Sequence, residues 1–191
     1  MQGLLPVPVE SKRIRLIKEN KDIFEKSFGV QISIDEQNFT VYLKAVKETI
    51  PYKFMKAKEA IEALSLGFTI EDILVLSDDN IFFERSDLTE IYRDRRDLKR
   101  IKARIIGSEG KIKLLIEETT GAKIAIGEKE VGIIGDYEQV KTAREAVEMI
   151  IAGKSHRTLN NFLRSESRKL KRRRLELWEK TENIFRNELS N

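Results

Sequence analysis

The chain carries one pattern twice, and any fold for it must place the two copies equivalently. Ala57-Lys58-Glu59-Ala60-Ile61-Glu62-Ala63-Leu64 recurs as Ala143-Arg144-Glu145-Ala146-Val147-Glu148-Met149-Ile150, and a glycine closes each run, Gly67 and Gly153. Both octapeptides have helical spacing, with Ala57, Ile61 and Leu64 on one stripe and Ala143, Val147 and Ile150 on its counterpart. Upstream, Gly29-Val30-Gln31-Ile32-Ser33-Ile34 matches Gly121-Ala122-Lys123-Ile124-Ala125-Ile126. Each is a helix-ending glycine followed by an alternating strand. The separation is 92 residues at the strands (121 against 29) and 86 at the helices (143 against 57), so the first copy holds extra residues around Val46 to Pro51. Two segments matching in the same order argue for a tandem duplication.

Within the second copy the order of elements is clear. Ile81-Phe82-Phe83-Glu84 opens it as a β-rich segment, and Asp97 is the expected N-cap of a helix through Ile101 and Ile105. Gly107 to Gly110 interrupts the periodicity. A second helix runs from Lys111 through Ile112, Leu115 and Ile116 to a stop at Gly121. Strands 122–126 and 130–134 follow, joined at Gly127, and a helix from Tyr137 to Ala152 ends the unit. The first copy gives the same order: a strand at Leu5–Val9, Ser11 as N-cap, helices, strands 30–34 and 39–44, and a helix from Pro51. The expected fold class is α+β, with two tandem β-α-α-β-β-α units, each a three-stranded sheet with helices on one face. Ser77-Asp78-Asp79-Asn80 reads as the junction. The expected domains are 1–77, 78–154 and a basic helical extension at 155–191.

With 191 residues, 40% of them apolar, the chain can fill two small cores. It has no cysteine, which excludes disulfides and thiolate metal sites, and its one histidine, His156, leaves no cluster for zinc or non-haem iron. No metal and no cofactor is expected. Met-Gln-Gly-Leu-Leu-Pro at the start is too short and uncharged for a signal peptide. No apolar run approaches the roughly 18 residues that span a bilayer. A soluble, cytoplasmic protein with no membrane partner is the expectation.

Charge is informative by segment. Residues 1–79 carry 11 basic and 13 acidic side chains, residues 80–153 carry 14 of each, and residues 154–191 carry 11 basic and 5 acidic. The whole surplus of +4 therefore sits in the last segment. A second concentration, nine Lys/Arg against three acids, lies within 93–113. Two basic patches fit a polyanionic partner; a solvated, ion-paired surface of the thermophile kind is the alternative. In the tail, Leu163, Leu170, Leu177 and Ile184 recur every seven residues beside Phe162, Trp178 and Phe185. This is an amphipathic basic helix whose stripe needs a partner, either the last helix of the second copy or the first copy. Arg168, Lys169, Lys171, Arg172, Arg173 and Arg174 crowd positive charge that a polyanion would screen.

The sharpest local signal is Ile106-Gly107-Ser108-Glu109-Gly110-Lys111, set between two helices and followed by a helix, a strand, a turn and a strand. That context resembles the KH domain of type I, whose signature is an Ile-Gly-x-x-Gly loop. Two glycines remove Cβ bulk and let backbone approach a sugar-phosphate chain. The first N–H groups of the next helix have no intrahelical partner and favour an anion. Arg104, Lys111 and Lys113 add charge, while Ile105, Ile106, Ile112 and Ala122, Lys123 and Ile124 are expected to wall an apolar groove for unpaired bases. A tight helix–helix turn with glycines used only for packing is the bland alternative. Glu109 stands where KH domains often have Lys or Arg and is expected to weaken affinity. In the first copy, ungapped alignment on Gly29 puts Arg15-Leu16-Ile17-Lys18 at these positions; a deletion of the loop is equally compatible.

Degenerate KH, intact KH and basic tail, in that order, resemble the archaeal and eukaryotic ribosome-maturation KH proteins of the partner-of-Nob-one type. The resemblance is strongest from Arg104 to Gly153 and continues through Lys154-Ser155-His156-Arg157 to Leu163. It implies single-stranded RNA binding near the 3′ end of small-subunit ribosomal RNA, in an archaeal cytoplasmic assembly factor. The implied protein partners are a maturation nuclease and other ribosome-assembly or translation factors. An enzyme is the rival class, but Asp78-Asp79 sits at a turn, and Glu117-Glu118 are helix neighbours whose side chains diverge. No catalytic residues are expected. A KH adaptor in RNA degradation or translation, with protein binding through the first copy, shares the same clamp.

Overall fold

The protein, described here from a computed structural model, is defined over residues 4–46 and 49–188, with side chains except at 170, 174, 177 and 179–188. Two units follow one another with the same element order. The first comprises β1 (Leu5–Pro8), α1 (Ser11–Glu19), α2 (Lys21–Phe28), β2 (Val30–Asp35), β3 (Thr40–Ala45) and α3 (Pro51–Leu66). The second comprises β4 (Ile81–Asp87), α5 (Arg95–Ile106), α6 (Lys111–Thr120), β5 (Lys123–Ile126), β6 (Glu130–Asp136) and α7 (Tyr137–Ile151). Each forms an antiparallel sheet with the last strand in the centre, β1-β3-β2 and β4-β6-β5. A long helix, α8 (His156–Glu188), follows.

Polar contacts repeat with the sequence spacing. Glu25 accepts the backbone N–H of Ile32 at 2.7 Å, and Glu117 accepts that of Ile124 at 2.8 Å. The same carboxylates pair with Lys21 at 3.7 Å and Lys113 at 3.1 Å. In each unit a glutamate thus ties the second helix to an edge strand, satisfying an N–H that no neighbouring strand reaches.

Local chemistry accounts for the boundaries, with corrections. Asp94, not Asp97, caps α5, accepting from Arg96 N at 3.2 Å; Asp97 lies inside the first turn. Ser11 is the first residue of α1, whose cap position is Glu10. Arg15 to Lys18 sit within α1, and α1 joins α2 through Asn20 alone, so the first unit has no counterpart of the Gly107–Gly110 loop, as the gapped alternative expects. Between the units lies a short helix missed above, α4 (Ile70–Leu74), continuing as a 3-10 turn to Ser77. Its signal was present: Thr69 and Asp72 form a reciprocal capping box at 3.2 and 3.1 Å.

The expectation of helices on one sheet face holds for the first sheet, whose other face exposes Gln31, Ser33 and Lys44. It fails for the second. Val131 and Ile133 of β6 point into the second core, while Ile134, with Ala125 of β5, belongs to the first. The far face is covered by the end of α3 and the segment after it: a Cβ at Gly132 would meet Leu66, Phe68 at 2.9 Å and Phe83 at 3.0 Å. Phe68 and Phe83 meet edge to face at 6.0 Å. Helix α3 therefore packs between two sheets, with Ala57, Ala60 and Ala63 fully buried. Lys56, also buried, donates to the carbonyl of Ile81, its ammonium 5.4 Å from the Tyr52 ring and 5.0 Å from Phe82. Hydrogen bonding and two ring faces compensate that desolvated charge.

Among the described side chains, the tail stripe docks at its start. Leu159 and Leu163 are buried in the second core between α6 and α7, whereas Leu175 and Trp178 are exposed. Leu170, Leu177, Ile184 and Phe185 fall outside the described side chains. We predict that Gly132→Val destabilises the protein by about 2 kcal/mol through overpacking, and that adding Leu66→Ala recovers part of the loss. Denaturant unfolding measures both; a Gly132→Val protein as stable as the parent would contradict the close approach.

Candidate nucleic-acid interface

Helix α5 ends at Ile106, and Gly107 turns the chain out with φ 75°, its N–H still bonded to Ala103 O at 2.8 Å. Ser108–Gly110 make a single tight turn before α6. Gly107 and Gly110 do different work. A Cβ on Gly107 would lie 2.8 Å from the backbone nitrogen of Ile112, so this glycine is required by packing beneath the loop. Gly110, at φ 77°, has nothing within 4 Å of a Cβ position, so its surroundings are open. Glu109 between them is a non-glycine residue at φ 55°.

The N-terminus of α6 is bare. Asp94 caps α5, and Asp136 caps α7 through a box with Gln139, each bond 2.9 Å. Gly110 offers α6 no side-chain cap. The Lys111 amide bonds back to Ser108 O, no side chain caps the amides that follow it, and the helix dipole adds positive potential there. Beside this end Arg104 and Lys111 are exposed; Lys123, also exposed, opens β5 just beyond the far end of α6. Lys111 pairs with Glu109 at 2.8 Å, both side chains well exposed, and solvent screens that pair strongly. Lys113 is held by Glu117.

The groove differs from expectation. Ile105, Ala122 and Ile124 are buried at 0%, 1% and 3% exposure, so their side chains support the clamp from beneath and cannot touch a base. Amphipathic periodicity places them in the core, and the same periodicity leaves Ile106 and Leu114 exposed beside the loop. Ile112 is half-buried. Leu114 was missed; its signal was a leucine off the Ile112–Leu115–Ile116 stripe.

The two basic groups are not brought together. Arg104 lies 3.9 Å from a Cβ position on Gly153, which sets the clamp at the C-terminal end of α7. Arg173 pairs with Glu138, at the opposite end of α7. Arg168, Lys169, Lys171 and Arg172 are exposed along α8, with Lys169 paired to Glu166; Arg174 lies outside the described side chains. Among the described residues no group of three or more His, Cys, Asp or Glu side chains could hold a metal, and no helix is long and apolar enough to cross a membrane.

Residues 82–168 match a family model described as eukaryotic type KH-domain (KH-domain type I). Over 183 residues the chain is 33% identical to the KH domain-containing protein MJ0443 of Methanocaldococcus jannaschii, covering 95% of this chain and 81% of that one. It is 32% identical to RNA-binding protein PNO1 of Oryzias latipes, over 77% of this chain and 63% of the relative. The chain belongs to the PNO1-type KH family. It therefore spans less than two thirds of that eukaryotic PNO1 protein. A chain of the crystallised a/eIF2alpha–aDim2p–rRNA complex from Pyrococcus horikoshii OT3 superposes with a TM-score of 0.79 at 28% identity, over 87% of this chain and 95% of that chain. The fold is thus α+β with a KH domain, two three-stranded sheets and accompanying helices. The KH match of this PNO1-type chain runs into α8, whose Leu159 and Leu163 complete the second core.

The two glycines separate experimentally. Gly110→Ala is expected to cost about 1 kcal/mol, the strain of a left-handed alanine. Gly107→Ala adds a steric clash and is expected to cost about 2 kcal/mol or more. Chemical denaturation gives both values, and equal costs would contradict the assignment.

Proposed function

We propose that this chain binds single-stranded RNA at Gly107–Gly110, and that the RNA is the 3′ region of small-subunit ribosomal RNA during ribosome assembly and rRNA maturation. The observation that carries the reading is the bare amide end of α6, behind a glycine with open surroundings, in a PNO1-type KH chain. A phosphate there gains the uncapped helix end and the nearby charges of Arg104 and Lys111, with Lys123 farther along the strand's path over β5. The half-exposed Ile106, with Ile112 and Leu114, offers apolar surface for unpaired bases. Support for the ribosomal target comes from the relatives: one is named RNA-binding protein PNO1, and another was crystallised with rRNA.

The finer organisation belongs to the same proposal. Residues 1–77 act as a degenerate KH domain whose clamp has been removed at Asn20, residues 78–154 as the KH domain that binds, and residues 155–191 as a basic helical extension. The chain works as a binding protein in the cytoplasm rather than as an enzyme, beside a separate maturation nuclease. A second reading, a KH adaptor that meets a translation factor, is favoured by one observation: the Pyrococcus structure is a complex with a/eIF2alpha as well as rRNA.

Replacing Ser108 and Glu109 by two aspartates tests the clamp. Affinity for a 3′-end rRNA oligonucleotide, followed by fluorescence anisotropy, is expected to fall roughly tenfold or more, about 1.4 kcal/mol, with an unchanged circular dichroism spectrum. Unaltered affinity would sink the proposal. Replacing Arg172, Arg173 and Arg174 by alanine is expected to weaken binding to all sequences alike and to reduce the slope of log K against log salt by about 2. Loss of sequence preference in that variant would contradict a purely electrostatic tail.

A further inference from the structure

The clamp does not use the aromatic residues gathered at the opposite end of α7. Tyr52 and Phe82 each turn toward the Lys56 ammonium, yet they remain 45% and 43% exposed. Phe82 pairs across the sheet with Gly135, two residues before Tyr137, which is 66% exposed. The next residue, Glu138, holds Arg173 of α8. Five residues along α8 stands Trp178, 68% exposed and the only tryptophan in the chain. Single exposed aromatics need no explanation. Rings on three elements, beside an ion pair that brings in a guanidinium from a fourth, do.

We propose that Tyr52, Phe82 and Tyr137 form a stacking platform for unpaired bases of the same RNA strand that the clamp holds, with Arg173 at its edge. This rests on the RNA reading above. Each ring offers a π-face to any base, and a guanidinium adds phosphate contact and stacking, the combination used to bind single strands without strong sequence preference. The Lys56 ammonium is already committed to the Ile81 carbonyl, so it orients the two rings without competing for a phosphate. Helix α7 has 15 residues, which sets the platform about 22 Å from the clamp. Along that length α8 exposes Arg164, Arg168 and Arg172, a positive track joining the two ends. Continuity of charge with the clamp favours a nucleic acid over a protein at this patch.

The test uses two oligonucleotides from the 3′ end of small-subunit rRNA, one of roughly five nucleotides that fills the clamp and one of roughly twelve that can extend beyond it. The platform requires the longer to bind more tightly to the parent protein and to quench Trp178 fluorescence, while the shorter leaves that fluorescence unchanged. Phe82→Ala with Tyr137→Ala is expected to lower affinity for the longer oligonucleotide roughly tenfold or more and to leave the shorter unaffected. Phe82→Tyr with Tyr137→Phe retains the rings and should retain binding. Tyr137→Ala alone, at a well-exposed position, guards against misfolding and should show part of the loss. A longer oligonucleotide bound equally by parent and alanine variants overturns the platform, as it would if the patch served a protein. A shorter oligonucleotide that fails to bind the parent overturns the clamp instead, and the platform is still judged on the longer one.

Discussion

Everything in this molecule is arranged around the close approach of α3 to two sheets at once. Its alanines let the first sheet pack against it, and Gly132 of β6 makes room where Leu66 and Phe68 meet the second sheet. Burial of a side chain the size of Phe68 is worth about 2 to 3 kcal/mol, so this seam stabilises both units together. The second sheet is consequently covered on both faces, and β6 reads as an almost continuous apolar run. The clamp, on the helical side of that sheet, stands on a support that cannot shift without disturbing the first core.

The repeated element order was legible because the same physical tasks recur in both units. A carboxylate at Glu25 or Glu117 has to satisfy an edge-strand N–H, and a glycine has to end the helix that carries it, so sequence similarity survives at those positions. The second-unit elements and the position of the glycine loop between α5 and α6 were legible for the same reason. The seam was not. Nothing in an alternating pattern tells which unit covers an outer sheet face, although the glycine and consecutive isoleucines of Val131-Gly132-Ile133-Ile134 hinted at two buried faces. The groove lining was misjudged at Ile105, Ala122 and Ile124 because residues adjacent to a loop in sequence can face the core, and only the helical phase decides which do.

Electrostatics around the clamp are restrained rather than maximal. Glu109 places a carboxylate in the loop and pairs with Lys111, and Glu117 engages Lys113, so two of the lysines beside the loop are already partnered and the uncapped end of α6 carries more of the attraction for an anion. Such a site relies on geometry more than on net charge. Most of the formal surplus is carried instead by the last segment, where α8 leaves the second core after Leu163. Positioning and long-range attraction are thus separated along the chain.

The junction at Asn20 limits what the first unit can hold. Four residues, Gly107–Gly110, stand between the helices of the second unit, and a single one stands between α1 and α2. Helical hydrogen bonding runs almost to that point from either side, so no exchange of side chains there could open a gap wide enough for a nucleotide chain. A gap would need inserted residues, and each insertion would turn α1 about its axis and move Ile14 and Ile17 from their buried positions. Contacts made by the amino-terminal unit must therefore come from side chains on its surface, because its helix phase leaves no backbone gap for a strand to enter.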